Sequence, residues 1–393
     1  MLKAGVGASI DKSTISAATA AAREAMARAG LFQADFALVF ATIPHAALYP
    51  RMLERIAEIT RTRHVVGCSA MGIVTSDGEV EDEPAIAVLV LASDTVMATP
   101  FLIRSLRQQG GLAARRMSGM LANTRSSRDL LMLFPDTLTL QAGPFLDGLR
   151  RTWPGVAAVG GGASENGTHM HTYQWCGTEV ASDSVCGALF SGGVSRAIGH
   201  TIACHPVADP LLVTRAEGNV IYELGGRPAY EVFTYLLREW AITDLRTAAS
   251  MILLGFPCDP SQTCLLPGEY YVRNIHGVDP HEGSLLAGSP VREGQVVSFT
   301  VRDAANARRD MENMVEELSR VCSGRPPGFG VYFNCCGRGT ALYGHANVDL
   351  EIIRRQFADL PVIGFFTYAE IGPTADGSCL HNYTGVLTLI GEA

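Results

Sequence analysis

Val65-Val66-Gly67-Cys68-Ser69 is an apolar run that reaches a glycine and opens into small residues. The chain writes this phrase twice more. It does so at Val156 to Gly160, continuing Gly161-Gly162-Ala163-Ser164, and at Val362-Ile363-Gly364-Phe365-Phe366-Thr367. The surroundings repeat as well. Upstream lie the short hydrophobic strands Ala37-Leu38-Val39-Phe40, Leu130 to Phe134 and Val331-Tyr332-Phe333. Helices follow over Arg51 to Thr60, Phe145 to Trp153 and Leu350 to Leu360. Each copy closes on another apolar strand: Ala85 to Leu91, Val185 to Phe190 and Gly385 to Ile390. Repetition on this scale means that one supersecondary unit is used several times. It also predicts that the glycine-opened loops gather around shared space where a ligand could sit.

Working outward, Gly5 to Ser9 reads as a strand and Thr14 to Ala29 as an alanine-rich helix capped by Ser13 and Gly30. Met97 to Asn123 reads as a strand followed by a polar helix. Ile198 to Pro206 alternates like an exposed strand. Gly225-Gly226-Arg227-Pro228 stops a strand and starts a helix running to about Trp240. A boundary at Gly225 divides the chain into modules 1–224 and 225–393. Beyond it, strands are expected near Met251 to Phe256, Glu269 to Ile275 and Gln295 to Val301. A helix over Asp303 to Val321 puts Ala307, Met311, Met314, Val315 and Leu318 on one face. Several strand pairs are joined by loops too short for a helical crossover. The fold class expected is therefore α/β, two modules with mixed sheets built from repeated strand-helix-strand-strand units.

In 393 residues, 47% are apolar and 18% charged, which excludes a disordered chain. The net charge of −8 argues against a nucleic-acid partner. No signal peptide is visible and no apolar run is long enough to span a bilayer, so no membrane insertion is expected. The ten cysteines are scattered, as reduced cytosolic thiols are. Neither the Cys258-x5-Cys264 pair nor Cys335-Cys336 matches zinc spacing. A soluble cytoplasmic protein without a metal follows.

Four features carry possible chemistry. Gly5-x-Gly7 between a strand and a helix has part of a dinucleotide fingerprint, but Ile10 holds the third glycine's place. Gly160-Gly161-Gly162-Ala163-Ser164 could cradle an anion through backbone N–H groups or simply allow close packing. Cys68-Ser69 could be a nucleophile, although a buried cysteine usually acts as a small hydrophobe. Glu370 lies in a nearly apolar stretch, where it must be paired or used; Arg338, His381 and Asn382 are the candidate partners. The ligand pocket is expected from the loops after Gly67, Gly160 and Gly364. It takes in Cys68, Ser69, Gly161, Ser164 and Thr367, with Glu370 and His381 as polar groups beside Arg338 and Asn382.

Three segments carry a resemblance to a known family: Val66-Gly67-Cys68-Ser69-Ala70-Met71-Gly72; Val213-Thr214-Arg215-Ala216 with Glu223-Leu224-Gly225-Gly226-Arg227-Pro228-Ala229; and Val272-Arg273-Asn274-Ile275 with Ile363 to Pro373 and His381-Asn382. Together they resemble the FIST family of sensory domains. The departure is Ala369, where the family commonly has glycine. The resemblance implies N- and C-terminal FIST modules and the sensing of a small ligand, amino acids having been proposed. It also implies, for stand-alone members of this length, haem b and the reporting of nitric oxide to a histidine kinase or a cyclic-di-GMP enzyme.

A non-catalytic sensor is therefore the leading expectation. Its haem form needs an axial ligand, for which His381, His345, His205 and His200 are the candidates. The alternatives are a hydrolase using Cys68 or Cys336, and an adaptor that pairs through exposed strands.

Overall fold

In each copy of the repeated phrase, two strands joined by a helix must run parallel, because the helix carries the chain back over the sheet. In the computed structural model, which describes residues 1–121, 126, 128–239, 251–259, 261–266, 268–374 and 377–393, this happens three times. The expected ends at Asn123 and Trp240, and the turn residue Asp376, lie outside the described residues. Phe36–Thr42 runs parallel to Val65–Ala70 and antiparallel to the closing strand Ile86–Ala92. Leu130–Pro135 stands likewise between Ala157–Gly161 and Ser184–Gly192. Phe329–Cys335 stands between Val362–Thr367 and Thr384–Glu392. The crossover helices are Tyr49–Thr60, Ala142–Thr152 and Val348–Gln356. A leading strand borders each closing strand: Lys3–Ser9, Val96–Arg104 and Val194–Ile202. Thus Ile198 to Pro206, expected to be exposed, is largely paired and part-buried, Ile198–Ile202 against copy three and Cys204–Pro206 against the strand Val296–Arg302.

The copies exchange hairpins in a ring. The hairpin Gly72–Thr75 with Gly78–Glu81 of copy one extends copy three's sheet, where Phe365 pairs with Ile73. Copy three's hairpin, Glu370–Thr374 with Gly377–His381, extends copy two's sheet. Copy two's hairpin, Gln174–Cys176 with Glu179–Ala181, extends copy one's sheet. Three six-stranded sheets result, each holding strands of two copies. Their inner faces share one core in which the Phe40 ring lies 4.5 Å from Phe365 and 5.4 Å from Phe134. Each such aromatic contributes about 1.5–3 kcal/mol by burial.

The glycines that open the loops are dictated by packing. Gly67, Gly160 and Gly364 stand opposite Val39, Leu133 and Tyr332 in the parallel pairs. A Cβ at these positions would fall 1.7, 1.9 and 1.9 Å from the facing carbonyl oxygen. Gly5 and Gly7 serve the helix Thr14–Ala29 in the same way: a Cβ would lie 2.4 Å from Ala25 O and 2.3 Å from Ala21 O. That accounts for the partial dinucleotide pattern. Ser13 sits at the N-cap of this helix as expected, but its side chain makes no capping bond; Gly30 ends the helix in the left-handed region, at φ 63°.

Between the leading strand and the helix Ala304–Cys322 of copy three, the chain builds a second body. Leu211–Glu217, Val220–Leu224, Ser284–Ala287, Tyr270–Asp279, Ile252–Pro257 and Val296–Arg302 pair in that order and close on themselves as an antiparallel barrel. The helix Ala229–Glu239 packs Phe233, Leu236 and Leu237 on its core. The turn at Gly225 lies inside this sheet, with Leu224 paired to Arg227, so the sheet runs across the boundary expected there. The fold is α/β with mixed sheets, as the sequence pattern predicts.

Candidate functional site

The three loops meet, and they close on one another. Ser69 Oγ donates to Ser164 O at 3.1 Å, and Met71 N–H donates to Ser164 Oγ at 2.8 Å. Ser164 Oγ itself donates to Phe366 O. The backbone N–H groups of Gly162, Ala163 and Ser164 go to Ala369 O, Pro135 O and Ser69 O. None of these three is left to cradle an anion. A Cβ on Gly161 would meet Thr367 Cγ2 at 2.3 Å, so that glycine too is a packing device. Cys68 is buried in the shared core, and burial pushes its thiol well above the ordinary range. Cys336 is pushed up by burial and then by Glu370. Ala369 has no positive φ, which is why alanine is tolerated there.

Glu370 is buried and takes hydroxyl hydrogen bonds from Thr367 and from Thr384, the latter at 2.6 Å, with Thr384 N–H at 3.2 Å. Burial pushes its carboxyl up to about 7 against these bonds. Its partners are threonines and not Arg338, which lies elsewhere. Arg338 is wholly buried and grips Asp349 through two bonds, Nε–Oδ2 at 3.0 Å and Nη2–Oδ1 at 2.9 Å. Tyr332 and Tyr343 add hydroxyl bonds of 2.8 Å to the same carboxylate. Within that cluster Arg338 Nη1 is buried without a hydrogen-bond partner.

The four histidines do not converge. His345 is exposed. His205 lies half-buried on Cys204–Pro206 beside the barrel. His200 contacts Gly268 O through Nε2 at 2.5 Å and stacks on His381, ring centroids 5.4 Å apart. His381 is wholly buried, neither ring nitrogen has a partner, and burial lowers its pKa to about 3. Of the four, His200 lines a cavity, of about 290 Å³. That volume is below the usual range for a drug-sized ligand, about 300–1,000 Å³. Among the described residues no three His, Cys, Asp or Glu side chains are placed to hold a metal ion.

The 290 Å³ cavity shares Cys258 and Thr374 with a larger cleft of about 590 Å³. Three separate parts of the chain wall this cleft: Leu146 and Arg150 from the helix of copy two, Cys379 and Leu380 from the exchanged hairpin, and Tyr271 and Arg273 from the barrel. Arg273 is held in place. Its Nη1 donates to Val272 O at 2.8 Å and to Asn382 Oδ1 at 3.2 Å, its Nη2 donates to Leu380 O at 3.1 Å, and its guanidinium lies 4.5 Å over the Tyr271 ring. Arg150 lies against the Gly377 turn, where a Cβ would stand 3.2 Å from its Nε. Arg150 is half-exposed and ion-paired at 2.9 Å with Asp147, which lines the same cleft, so two cations and one carboxylate frame a half-apolar cleft. Of the expected residues, Asn382 reaches it only through Arg273, His200 lines the adjoining 290 Å³ cavity, and Glu370 pairs across strands with His381 outside its lining. Gly67, Cys68, Ser69, Gly160, Gly161, Ser164 and Arg338 do not line it. Sequence reasoning passed over Arg150 and Arg273, although an arginine within the strand Tyr270-Tyr271-Val272-Arg273 was a visible signal. A cavity of about 750 Å³ against the helix of copy one is lined mainly by exposed charged residues of both signs, among them Glu54, Glu58, Arg61 and Arg63.

The architecture is that of an α/β protein with an inserted barrel. The FIST N domain model matches residues 35–227 and the FIST C domain model residues 229–373. The chain belongs to the FIST family, whose domains are small-ligand sensory domains. Relatives include uncharacterized proteins of Mycobacterium tuberculosis, 29% identical over 99% of both chains, and of Mycobacterium bovis, 28% identical over 99% of this chain and 98% of that one. Another, from Methanocaldococcus jannaschii, is 23% identical over 66% of this chain and 52% of its own. Among solved structures, a chorismatase aligns with 93% of this chain and 94% of its own at TM-score 0.33 and 10% identity. A cyanuric acid hydrolase from A. caulinodans covers 49% and 70% at 0.29 and 8%. At these scores neither likeness carries an argument. No helix among the described residues is long and apolar enough to cross a membrane.

Proposed function

We propose that this chain is a non-catalytic cytoplasmic sensor of a small anionic metabolite, such as an amino acid or another carboxylate. The ligand occupies the 590 Å³ cleft and its presence is relayed to a separate signalling protein, a histidine kinase or a cyclic-di-GMP enzyme. The observation that carries this reading is the pair Arg150 and Arg273, on two different bodies, facing one cleft of ligand size. Three of the five N–H groups of Arg273 hold the hairpin and its own strand, which fixes the direction of the rest. A carboxylate bridging the two arginines would bind the barrel to the core, and that change of coupling is what a partner can read. Burial of Cys68 and Cys336 as thiols supports the non-catalytic reading over a hydrolase.

The test is calorimetric titration with glutamate, citrate and inorganic phosphate as probes. At least one binds the wild type, Arg273→Ala weakens it tenfold or more, and Arg61→Ala leaves it unchanged. No binding of any probe, or equal binding by Arg273→Ala, overturns the reading. The haem and nitric-oxide expectation keeps one observation in its favour, the two unpartnered nitrogens of buried His381. It requires the His200 ring to leave its stack. A Soret band that is lost in both His381→Ala and His200→Ala selects it over the metabolite reading.

A further inference from the structure

The cleft holds a second feature that ligand binding does not use. Cys258, which follows the barrel strand Ile252–Pro257, and Cys379, on the hairpin strand Gly377–His381, line the same cavity from opposite bodies. The two thiols are close enough to perturb each other's ionisation, and Cys379 Sγ also bonds to Leu380 O at 3.5 Å. Both are free and half-buried. We infer that Cys258 and Cys379 form a hydroperoxide-responsive dithiol that closes to a disulfide and locks the barrel to the three-copy core.

The geometry divides the labour. Arg273 and Arg150 stand on the Cys379 side of the pair, Arg273 through its bond to the neighbouring Leu380 carbonyl and Arg150 against Gly377. Positive surroundings of this kind favour the thiolate, which is the nucleophile. The contact with Cys258, and then Arg273 and Arg150, lower Cys379 against the burial that raises it, whereas Cys258 is raised, first by that same contact and then by burial. Seven other cysteines, from Cys68 to Cys336, are all raised by burial. Cys379 is the one held toward its reactive form by its neighbours.

The chemistry balances with a hydroperoxide, ROOH, as oxidant. The Cys379 thiolate attacks the distal oxygen. An S–O bond forms, the O–O bond breaks, and the leaving alkoxide takes a proton to give ROH and a sulfenic acid. The Cys258 sulfur then attacks the Cys379 sulfur. The S–S bond forms, the S–O bond breaks, and hydroxide leaves as water with the Cys258 proton. Two thiols lose two electrons and the peroxide gains them. A dithiol reductant reverses the change. No anionic ligand is required, so the inference stands or falls apart from the proposed function.

The experiment treats the full chain with hydrogen peroxide, blocks remaining thiols, and maps peptides by mass spectrometry without reduction. The expected result is a Cys258–Cys379 cross-linked peptide that disappears on adding dithiothreitol. In Cys258→Ser the link is lost and a dimedone adduct appears on Cys379. A map in which both residues stay reduced overturns the inference. So does one in which exposed Cys264 supplies the disulfide partner. The wild-type map decides even if a variant fails to fold.

Discussion

Replacing Glu370 by glutamine tests how the base of copy three's hairpin is held to its own sheet through Thr367 and Thr384. The carboxyl is wholly buried, and burial raises it from an ordinary value of 4.5 to about 7, against bonds from Thr367 and Thr384. A raised carboxyl keeps its proton in the folded chain where the unfolded chain has lost it. Between pH 4.5 and 7 the unfolded state therefore binds fewer protons, and stability falls as pH rises. The contribution is whole below 4.5 and gone above 7. At 1.36 kcal/mol per pH unit the rise amounts to roughly 3 kcal/mol. Its neighbours are silent in this window: His381, lowered to about 3, stays neutral, and Cys335, pushed well up by burial, stays a thiol. The assay is urea unfolding of wild type and Glu370→Gln at half-unit steps from pH 5 to 8. The variant should gain about 3 kcal/mol on the wild type across that range, largely by losing the wild type's decline. A difference between the two that is constant with pH refutes the reasoning.

Arg338→Met should cost about 3–5 kcal/mol in the same assay, because it leaves Asp349 buried without its cation; Arg338→Met with Asp349→Leu should cost less than the single change. Gly364→Ala drives a Cβ against Tyr332 O and should cost at least about 1–3 kcal/mol, whereas Gly119→Ala, in open space on a helix, should stabilise by up to about 1 kcal/mol. Equal effects at the two glycines would remove the packing account of the repeated phrase. Glu79, pushed up to about 8 chiefly by burial and then by Asp349, should add its own fall in stability with rising pH, which Glu79→Gln removes; unfolding of that variant from pH 6 to 9 checks it.

Much of the frame was legible because it rests on local patterns. The parallel strand pairs, the crossover helices and the three opening glycines follow from period, length and residue size, as Gly67, Gly160 and Gly364 illustrate. Pairing between copies was not legible. Nothing local in Gly72–Thr75 says that it extends a sheet built from Val362–Thr367, nearly three hundred residues away. The same gap misplaced the site. Glu370 and Ser164 are unusual in their stretches; Ser164 turns out to be a pin between copies, while Glu370 is held by Thr367 and Thr384 within its own copy. Arg150 is ordinary in its stretch and Arg273 stands out in its strand, but only the barrel folded over the exchanged hairpin brings the two together. Cys258 was noticed beside Cys264, its neighbour in sequence, while its partner in space is Cys379.

The ring of exchanged hairpins creates three equivalent junctions, each between one copy's crossover helix and the next hairpin. The chain treats them differently. At the junction of helix Val348–Gln356 with the hairpin of copy one, Asn347 Oδ1 accepts the Glu79 N–H at 2.7 Å and Arg354 bonds to Ser76 O, so side chains fill the space. At the junction of helix Tyr49–Thr60 with the hairpin of copy two, the cavity is large, but its charged rim of Glu54, Glu58, Arg61 and Arg63 is exposed. Only at the helix Ala142–Thr152 does the barrel lie over the junction, adding Tyr271, Arg273 and Cys258 to a wall that copies two and three begin. A ligand in water-exposed surroundings gains little from a guanidinium, while one shielded by a second body gains more and is felt by both bodies. The insertion in copy three thus converts one of three like grooves into a cleft between bodies. Deleting the barrel's Tyr271 and Arg273 contacts should leave the three-copy core folded and the cleft without affinity, a separation that unfolding and titration of Tyr271→Ala/Arg273→Ala would measure together.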